Sequence, residues 1–207
     1  LYVKGEYITD LDADYISCPH GLEVMAHSME QFPEAALGIS QKVVEDVKPY
    51  PFIMQPKETF TREFLQRGVL GLGPTGTIIR RDVFEKLGGF TGTRYIGDTE
   101  MWYKIALTYP VVKMQDELIF WRQHDDQEIT KGQDSFFYLE NAFKLKLNTL
   151  QKKELPLGAP ERQMALKKLT HRFSRNIARL ILKGHIVLAN TIRKACGISW
   201  IKIIKAL

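Results

Sequence analysis

Cysteine is scarce in this chain, which contains only Cys18 and Cys196 among its 207 residues. The two cysteines lie far apart and in no spacing that is typical of zinc ligands. Disulfide-based domains and zinc modules need several cysteines at short intervals. The sequence therefore argues against a disulfide scaffold and against a structural zinc site, and it favours a reducing compartment.

Long hydrophobic runs are missing as well. No apolar segment reaches the roughly 20 residues that a membrane-spanning helix needs, and no signal peptide is recognisable. Internal repeats and low-complexity segments are not found either. The apolar fraction of 44% and the aromatic fraction of 11% are ordinary for a globular core. We therefore expect a cytoplasmic protein with one domain, or with one domain and an extension.

Acidic residues are nearly absent from one end of the chain. From residue 161 onward there are eleven Lys and Arg residues but one acidic residue, a balance of +10, whereas the first 160 residues have a balance of −5. An acidic globular part thus precedes a basic segment. Charge asymmetry of this kind indicates an anionic partner surface.

Apolar periodicity and turn residues predict an α/β order of elements. Residues 41–60 contain three prolines and are predicted to be a long loop. Asp82 is predicted to cap a short helix that ends at Gly88 and Gly89. From about residue 130 the chain is predicted to be helical, with a break at 155–160 and two basic amphipathic helices that separate near Gly184. Strands are predicted at 6–11, 35–40, 77–80, 111–114 and 118–124, the last two as a pair, and helices at 20–32, 59–68, 83–87 and 99–109.

Three aspartates, Asp10, Asp12 and Asp14, alternate at the end of the first predicted strand. Alternation directs their side chains to one face, where like charges repel one another. Mg²⁺ and Mn²⁺ prefer oxygen ligands and would relieve this repulsion, and ligands bind at the carboxyl ends of strands in open α/β sheets. A solvated, aspartate-rich loop would also produce this pattern.

Four segments extend the pattern in a fixed order: DLDAD at 10–14, RRDVFEKLGGF at 80–90, GDTEMWYKIA at 97–106 and FWRQH at 120–124. Together they resemble the family-2 glycosyltransferases of the GT-A fold. In that family a D-x-D motif ends a strand, a G-G-F turn follows a short helix, an acidic pair begins the next helix and Arg-x-His closes the core. The resemblance covers residues 4 to about 126.

The resemblance implies a donor site and a catalytic base. Asp12 would face the donor's ribose and the metal, Asp14 would bind the metal directly, and His124 would approach the metal or the diphosphate. Arg122 would lie beside the phosphates, for which its planar fork is suited. Asp98 would take the proton from the acceptor hydroxyl as that oxygen attacks the anomeric carbon, with inversion of configuration.

The same resemblance implies an acceptor side and partners. Thr75, Gly76 and Thr77 lie where the acceptor-side loop would be, and Glu100 is a further acceptor contact. The cofactor would be Mn²⁺ or Mg²⁺. The donor would be a nucleotide-diphosphate sugar, most commonly a uridine-diphosphate sugar, and the acceptor a saccharide or a lipid-linked saccharide in cell-surface polysaccharide synthesis.

Each of these residues also has a purely structural interpretation. Asp98 could cap a helix that starts at Thr99, and His124 could end a surface strand. Trp102 and Trp121 are more typical of a core than of a sugar platform. Asp10 is interpreted as a supporting or merely exposed group without a catalytic role.

Two features depart from the family. Gly97 occupies the position of the usual glutamate before the base, so that glutamate's role has either moved to Glu100 or is absent. Family members also have about a hundred residues before the aspartate motif, which form the nucleotide-binding half. We therefore expect the carboxyl-terminal portion of a GT-A domain at 1–128, apparently without its amino-terminal half, and a helical basic extension at 129–207.

The basic extension is open to two interpretations. It could be a solvated helical segment packed on the core, or it could hold the protein at the inner face of the plasma membrane. Leu166, Leu169, Phe173, Ile177 and Leu180 form an apolar stripe bordered by basic residues, as in helices that lie on anionic membranes. Nucleic acid is a weaker third option, and it is not the expected partner, because the segment has few aromatic residues and no recognised nucleic-acid motif.

The sequence thus predicts a metal-dependent, inverting glycosyltransferase, although the chain alone could be inactive. The alternative from a different class is a non-catalytic fragment that binds a membrane or a protein. The enzyme requires Asp14, Asp98 and His124 to converge on one cleft. The interaction module does not, and it predicts that Asp98→Asn leaves the function of the chain intact.

Overall fold

The computed structural model describes residues 4–13, 15–40, 48–71, 73–122 and 136–206, with the side chains of residues 121, 136 and 137 left out. These residues form a mixed α/β structure, which confirms the predicted α/β class with a mixed sheet. The strands are β1 (Tyr7–Ile8), β2 (Tyr15–Ser17), β3 (Leu37–Ser40), β4 (Phe52–Met54), β5 (Thr77–Arg80), β6 (Val111–Met114) and β7 (Ile119–Trp121). The helices are α1 (Gly21–Glu30), α2 (Pro56–Leu65), α3 (Arg81–Lys86), α4 (Gly97–Ala106), α5 (Phe136–Gln151), α6 (Ala159–Leu182), α7 (Ile186–Ala195) and α8 (Trp200–Ile204).

A five-stranded sheet with the order β1-β5-β3-β6-β4 forms the centre of the molecule. β3 and β6 are parallel, and the other neighbouring pairs are antiparallel. Every residue of β3 and of β6 is buried, as expected for strands that are covered on both faces. Gly38 in β3 permits close packing, because a Cβ there would lie 2.2 Å from Met114 Cε and 2.9 Å from Met29 Sδ.

A second sheet consists of β2 and β7, which pair antiparallel with Tyr15 opposite Trp121 and Ser17 opposite Ile119. The predicted pairing of the strands at 111–114 and 118–124 is therefore wrong, because β6 pairs with β3 and β4 instead. The short connection between β6 and β7 leads the chain from one sheet into the other. This change of sheet carries the end of β7 back to the segment that follows β1.

The structure also corrects the boundaries of several predicted elements. β1 has only two residues, and the chain beyond Ile8 is a loop in which side chains no longer alternate across a sheet. Residues 48–60, predicted as part of a long loop, contain β4 and the start of α2 at Pro56. Asp82 lies in the first turn of α3 and does not cap it, because Arg80 precedes the helix. A short helix that was not predicted, α8, follows the two predicted basic helices.

The apolar stripe of α6 packs into the protein. Leu169, Phe173 and Ile177 are buried, and the Phe173 ring contacts the Phe143 ring of α5 at 4.9 Å between centroids. They belong to the same buried cluster as Phe60 of α2 and several residues of the sheet. The stripe that suggested a membrane-binding face is thus mainly an internal packing surface. Within the described ranges, no helix is both long and apolar enough to cross a bilayer.

A buried carboxylate joins the sheet region (residues 4–122, where described) to the helical region (residues 136–206). Glu63 of α2 accepts hydrogen bonds from the backbone N–H groups of Val69 and Leu70 and, at 2.5 Å, from the Tyr103 hydroxyl of α4. Lys146 of α5 forms an ion pair with the same carboxylate at 3.1 Å. Burial by itself would raise the pKa of Glu63, but Lys146 and these hydrogen bonds outweigh burial and hold that pKa below its ordinary value.

Candidate functional site

The loop that carries the aspartates is fixed to the segment before β5. The Thr9 hydroxyl donates to the Thr77 carbonyl at 2.8 Å, and the backbone N–H of Asp12 donates to Thr75 Oγ1 at 3.1 Å. The Tyr15 N–H then donates to the Asp12 carbonyl at 3.0 Å, which closes a turn at Asp12. The loop is therefore held by hydrogen bonds at three points, while the Asp10 and Asp12 residues remain exposed.

Thr75, Gly76 and Thr77, the predicted acceptor-side residues, form a buried floor beneath this loop. Pro74–Gly76 make one turn of 3₁₀ helix that leads into β5. The Thr77 hydroxyl donates to the Pro74 carbonyl at 2.6 Å, and the Thr75 hydroxyl oxygen accepts from Asp12. Both hydroxyls thus have partners inside the protein, so these threonines hold the aspartate loop in place. Their contact with an acceptor stays a prediction.

The small sheet brings Arg122 to the aspartate loop. β2 begins one residue after the motif and pairs with β7, and Arg122 follows β7 directly. The Arg122 guanidinium donates from Nη2 to the Ala13 carbonyl at 2.9 Å. A cationic, exposed side chain therefore lies against the loop of Asp12, although 109 positions separate Arg122 from Ala13 in sequence.

Asp98 lies in the first turn of α4, close enough to Asp12 for their charges to interact. The helix begins at Gly97, so Asp98 does not cap a helix that starts at Thr99. Its Oδ1 accepts from the Thr99 N–H at 2.5 Å and from the Thr99 hydroxyl at 3.3 Å. Burial raises the pKa of Asp98 above its ordinary value, the Thr99 hydrogen bonds oppose this rise, and the charge of Asp12 adds to it.

Glu100, the other predicted acceptor contact, is tied to the loop before α4. Its Oε2 accepts from the hydroxyls of Thr91 at 2.5 Å and Thr93 at 3.3 Å, and its Oε1 lies 3.9 Å from Lys104 Nζ. These contacts fix the loop that follows the two glycines against α4. Contact of Glu100 with an acceptor stays a prediction.

A pocket of about 300 Å³ opens beside the aspartate loop. Asp98 and Trp102 are four residues apart on α4, and Trp102 lines the pocket. The Phe90 ring packs edge-on against the rings of Phe84 and Trp102, with centroid distances of 5.1 and 6.0 Å. The lining residues are Ile8, Thr9, Asp10, Pro74, Thr77, Ile79, Phe84, Phe90 and Trp102.

Two of the residues that line the pocket, Asp10 and Phe90, had no predicted role in binding. Asp10 supplies the only charged side chain among the lining residues. Phe90 forms part of the wall while more than a third of its surface remains exposed. Trp102 is buried, as predicted for a core residue, and also lines the pocket. Strand alternation could not have predicted the position of Asp10 in the pocket, because β1 ends at Ile8 and Asp10 lies in the loop that follows.

Two of the predicted metal ligands, Asp14 and His124, lie outside the described residues. Within the described part of the chain, no group of three or more His, Cys, Asp or Glu side chains could hold a metal ion. Asp12 and Asp98 nevertheless bring two carboxylates into mutual repulsion. Of the three predicted ligands, the described residues include Asp12 alone, and one carboxylate does not make a site for a hard divalent ion, so metal binding stays a prediction.

Comparison with known proteins finds similarity at the level of structure. No family model matches the chain, and no curated protein matches it. The chain is similar to the crystal structure of Staphylococcus aureus TarS 1–349, with a TM-score of 0.43 and 14% identity over 99% of this chain. It spans 65% of that TarS chain. Similarity at this level establishes neither a shared family nor a shared activity, so we base the function on the site itself.

Proposed function

We propose that the chain carries part of the active site of a metal-dependent, inverting glycosyltransferase of family-2 type. The observations that support this proposal are the hydrogen bond from Arg122, which follows β7, to Ala13 of the aspartate loop, and the charge interaction between Asp12 of that loop and Asp98 at the start of α4. Three distant segments thereby bring together Asp12, Asp98 and Arg122, two carboxylates and a guanidinium. Two carboxylates and a guanidinium from segments far apart in sequence are the groups that the proposed donor site and catalytic base require.

On the donor side, Asp12 and Arg122 bind a nucleotide-diphosphate sugar, of which a uridine-diphosphate sugar is the expected class. Arg122 donates hydrogen bonds to the diphosphate, and its bond to Ala13 orients the guanidinium for that purpose. Mn²⁺ or Mg²⁺, held by Asp12 and Asp14 with His124 beside them, would supply positive charge against the diphosphate. The hydrogen bond from Asp12 to Thr75 keeps the loop in position.

On the acceptor side, Asp98 is the general base. It takes the proton from an acceptor hydroxyl while that oxygen forms a bond to the anomeric carbon and the bond from this carbon to the diphosphate breaks. Attack on the face opposite the diphosphate inverts the configuration. A raised pKa makes Asp98 a stronger base than a fully solvated aspartate, and such a base contributes about 10²–10⁴-fold to the rate.

The acceptor is a saccharide, free or lipid-linked, in the synthesis of a cell-surface polysaccharide or glycan. Its sugar ring enters the pocket beside the aspartate loop, where Phe90 offers an aromatic surface and Asp10 accepts hydrogen bonds from hydroxyls. Glu100, Thr75, Gly76 and Thr77 border this side. Asp10 is thus assigned to the acceptor, in contrast to its interpretation from sequence as a residue without a catalytic role.

Calorimetric titration of uridine diphosphate into the purified chain, with and without Mn²⁺, tests the donor site. We expect binding that requires Mn²⁺ and that is lost in Asp12→Ala and weakened in Arg122→Gln. Asp82→Ala, which removes an exposed aspartate from α3, is the matched control and should bind as the wild type does.

Two results would contradict the proposal. Binding that is unchanged in Asp12→Ala would place the nucleotide elsewhere on the chain. Absence of binding in every variant would favour the non-catalytic interaction module, because the segments that meet at this site would then have no donor function of their own.

A further inference from the structure

The turn between α6 and α7 exposes apolar side chains that the core does not use. Leu182 ends α6 with 76% of its surface exposed, and Val187 in the first turn of α7 is 83% exposed. Ile186 beside it is exposed as well. Farther along α7, Ala189 and Ile192 turn inward and are buried. The tip of this helical hairpin therefore presents three large aliphatic side chains to the surroundings.

The last helix repeats this arrangement. Trp200, Ile201 and Ile204 of α8 are exposed, whereas Ile203 is buried. Positions 200, 201 and 204 share one face of a helix, because residues three and four apart are neighbours. We call the six residues Leu182, Ile186, Val187, Trp200, Ile201 and Ile204 the exposed apolar set. Isolated exposed leucines and valines are ordinary on protein surfaces. Two groups of exposed large apolar side chains within 23 residues are instead typical of a surface that binds a partner.

Basic residues stand next to the exposed apolar set. Lys183 follows Leu182, Lys202 follows Ile201 and Lys205 follows Ile204, and all three lysines are exposed. The Arg193 guanidinium lies over the Trp200 ring at 4.7 Å from its centroid. From Ala159 to the end of the chain, Glu161 is the only acidic residue against eleven Lys and Arg residues. The cations beside the apolar groups therefore have almost no acidic residues in this segment to neutralise them.

We propose that the exposed apolar set and its flanking lysines dock the protein on an anionic membrane surface. Aliphatic and tryptophan side chains enter the boundary between headgroups and acyl chains, while lysines bind the anionic headgroups. This assignment moves the membrane contact away from the α6 stripe, which packs inside the protein. It is also independent of the proposed catalytic site, because none of these residues belongs to that site.

The combination of groups favours a membrane over a nucleic acid. Phosphate backbones are recognised by cations and hydrogen-bond donors and gain little from exposed leucine, isoleucine and valine. Anionic lipid surfaces use both components, since cations attract the protein and apolar side chains retain it. Binding should therefore need both anionic lipid and the exposed apolar set, which is the requirement that the test examines.

Co-sedimentation of the full chain with vesicles tests this proposal. One set of vesicles contains phosphatidylcholine alone, and the other contains phosphatidylcholine and phosphatidylglycerol in equal parts. We expect sedimentation with the anionic vesicles and little with the neutral ones. The triple variant Leu182→Ser, Ile186→Ser, Val187→Ser should bind at least about tenfold more weakly, because it removes three apolar side chains that would otherwise leave water.

Two further variants separate charge from apolar contact. Lys202→Gln and Lys205→Gln should each weaken binding about fivefold, the effect of one basic residue near an anionic leaflet. Met164→Ser with Leu166→Ser is the matched control, because both residues are exposed on α6 but lie outside the exposed apolar set. This control should bind as the wild type does, and circular dichroism should show that every variant keeps its helix content.

Several outcomes would overturn the proposal. One is equal binding to neutral and anionic vesicles or to neither, and another is wild-type binding by the triple variant. A third is tighter binding to a DNA duplex than to vesicles, with no effect of the apolar substitutions. A fourth is concentration-dependent self-association that the triple variant abolishes while no vesicles bind, which would assign the exposed apolar set to a second copy of the chain.

Discussion

Glu63 and Asp98 are two carboxylates that have lost water in different regions of the molecule, and their pKa values shift in opposite directions. At the junction of the sheet and helical regions, Glu63 gains an ammonium, a hydroxyl and two backbone N–H groups, and its pKa falls. At the candidate site, burial outweighs the hydrogen bonds that the Asp98 carboxylate accepts from Thr99 and from its own backbone, the charge of Asp12 adds to the effect of burial, and the pKa of Asp98 rises. Burial raises the pKa at both positions. The two shifts therefore differ because partner groups offset the effect of burial at Glu63 and do not fully offset it at Asp98.

This difference separates a structural carboxylate from a candidate functional one. A buried charge whose partners compensate it fixes the elements around it. A carboxylate that its surroundings compensate poorly costs the fold stability, and such residues concentrate at sites where chemistry takes place. The comparison therefore predicts that neutral substitutions at the two positions have opposite consequences.

The largest expected effect is on activity at Asp98. Asp98→Asn should lower the rate of sugar transfer by about 10²–10⁴-fold, because the amide cannot accept the acceptor's proton. Its thermal stability should be equal to or above that of the wild type, because a poorly compensated charge is gone. Release of nucleoside diphosphate and a thermal melt measure the two properties, with Asp82→Asn on α3 as the matched control. Retained activity would remove Asp98 from the mechanism.

The next effect is on stability at Glu63. Glu63→Gln should lower the free energy of unfolding by about 2 kcal/mol, because the Lys146 ammonium loses its ionic partner and the bonds from Val69 and Leu70 weaken. Urea denaturation measures this change. Glu58→Gln on the same helix, whose partners Lys48 and Arg62 form a more exposed network, should change stability by no more than about 0.5 kcal/mol. Equal effects at both positions would contradict the structural role of Glu63.

A smaller effect is expected at the floor of the aspartate loop. Thr75→Val keeps the shape of the side chain but removes the oxygen that accepts from the Asp12 N–H, a loss of about 1 kcal/mol. If the loop must be held for donor binding, affinity for uridine diphosphate should fall about fivefold. Thr108→Val, an exposed position after α4, is the control for titration calorimetry. Unchanged affinity would show that the loop keeps its geometry without this bond.

The smallest effect is the pH dependence of stability. The lowered pKa of Glu63 means that its ionised form stabilises the fold above the ordinary glutamate pKa of 4.5, and that this contribution disappears as the pH falls through the lower folded pKa. The stability difference between wild type and Glu63→Gln should therefore shrink on acidification.

For Asp98 the sign is reversed. Ionised Asp98 costs the fold stability at neutral pH, and this cost disappears as the pH falls through its raised pKa. Any stability advantage of Asp98→Asn should accordingly vanish in acid. Denaturation midpoints from pH about 7 down to pH about 3 measure both trends. Parallel curves for the two variants would contradict the opposite shifts.

Sequence reasoning succeeded where the pattern is local. The period of apolar residues in α6 predicted a helix with an apolar stripe but not whether the stripe faces the core or a membrane, and β6 with its two valines was recognisable as a strand. β4 was missed because three residues between prolines carry almost no periodic signal. The pairing of β7 with β2 was missed because it joins segments about a hundred residues apart. The sequence of neither strand indicates which other strand it pairs with.

The candidate site was predictable only in part. Asp12, Asp98 and Arg122 came from the resemblance of ordered motifs; in the structure Arg122 bonds to Ala13 beside Asp12, and the charge of Asp12 acts on Asp98, while Asp14 and His124 lie outside the described residues. The Glu63 junction had no sequence signal, because a glutamate in an amphipathic helix is usually solvated. Two further features depend on the path of the loop after β1, which alternation alone does not specify. They are the hydrogen bond between Thr75 and the Asp12 N–H and the position of Asp10 in the pocket.

The junction at Glu63 also determines how this chain can be divided and recombined. A piece that ends before α5 would keep the buried carboxylate but lose Lys146, and a piece that begins at α5 would expose the ring of Phe143 and its neighbours. Exchange of helical segments between proteins of this architecture should succeed only when Glu63 and Lys146 are transferred as a pair. The sheet and helical regions therefore depend on each other for the burial of their side chains, even though their net charges are opposite in sign.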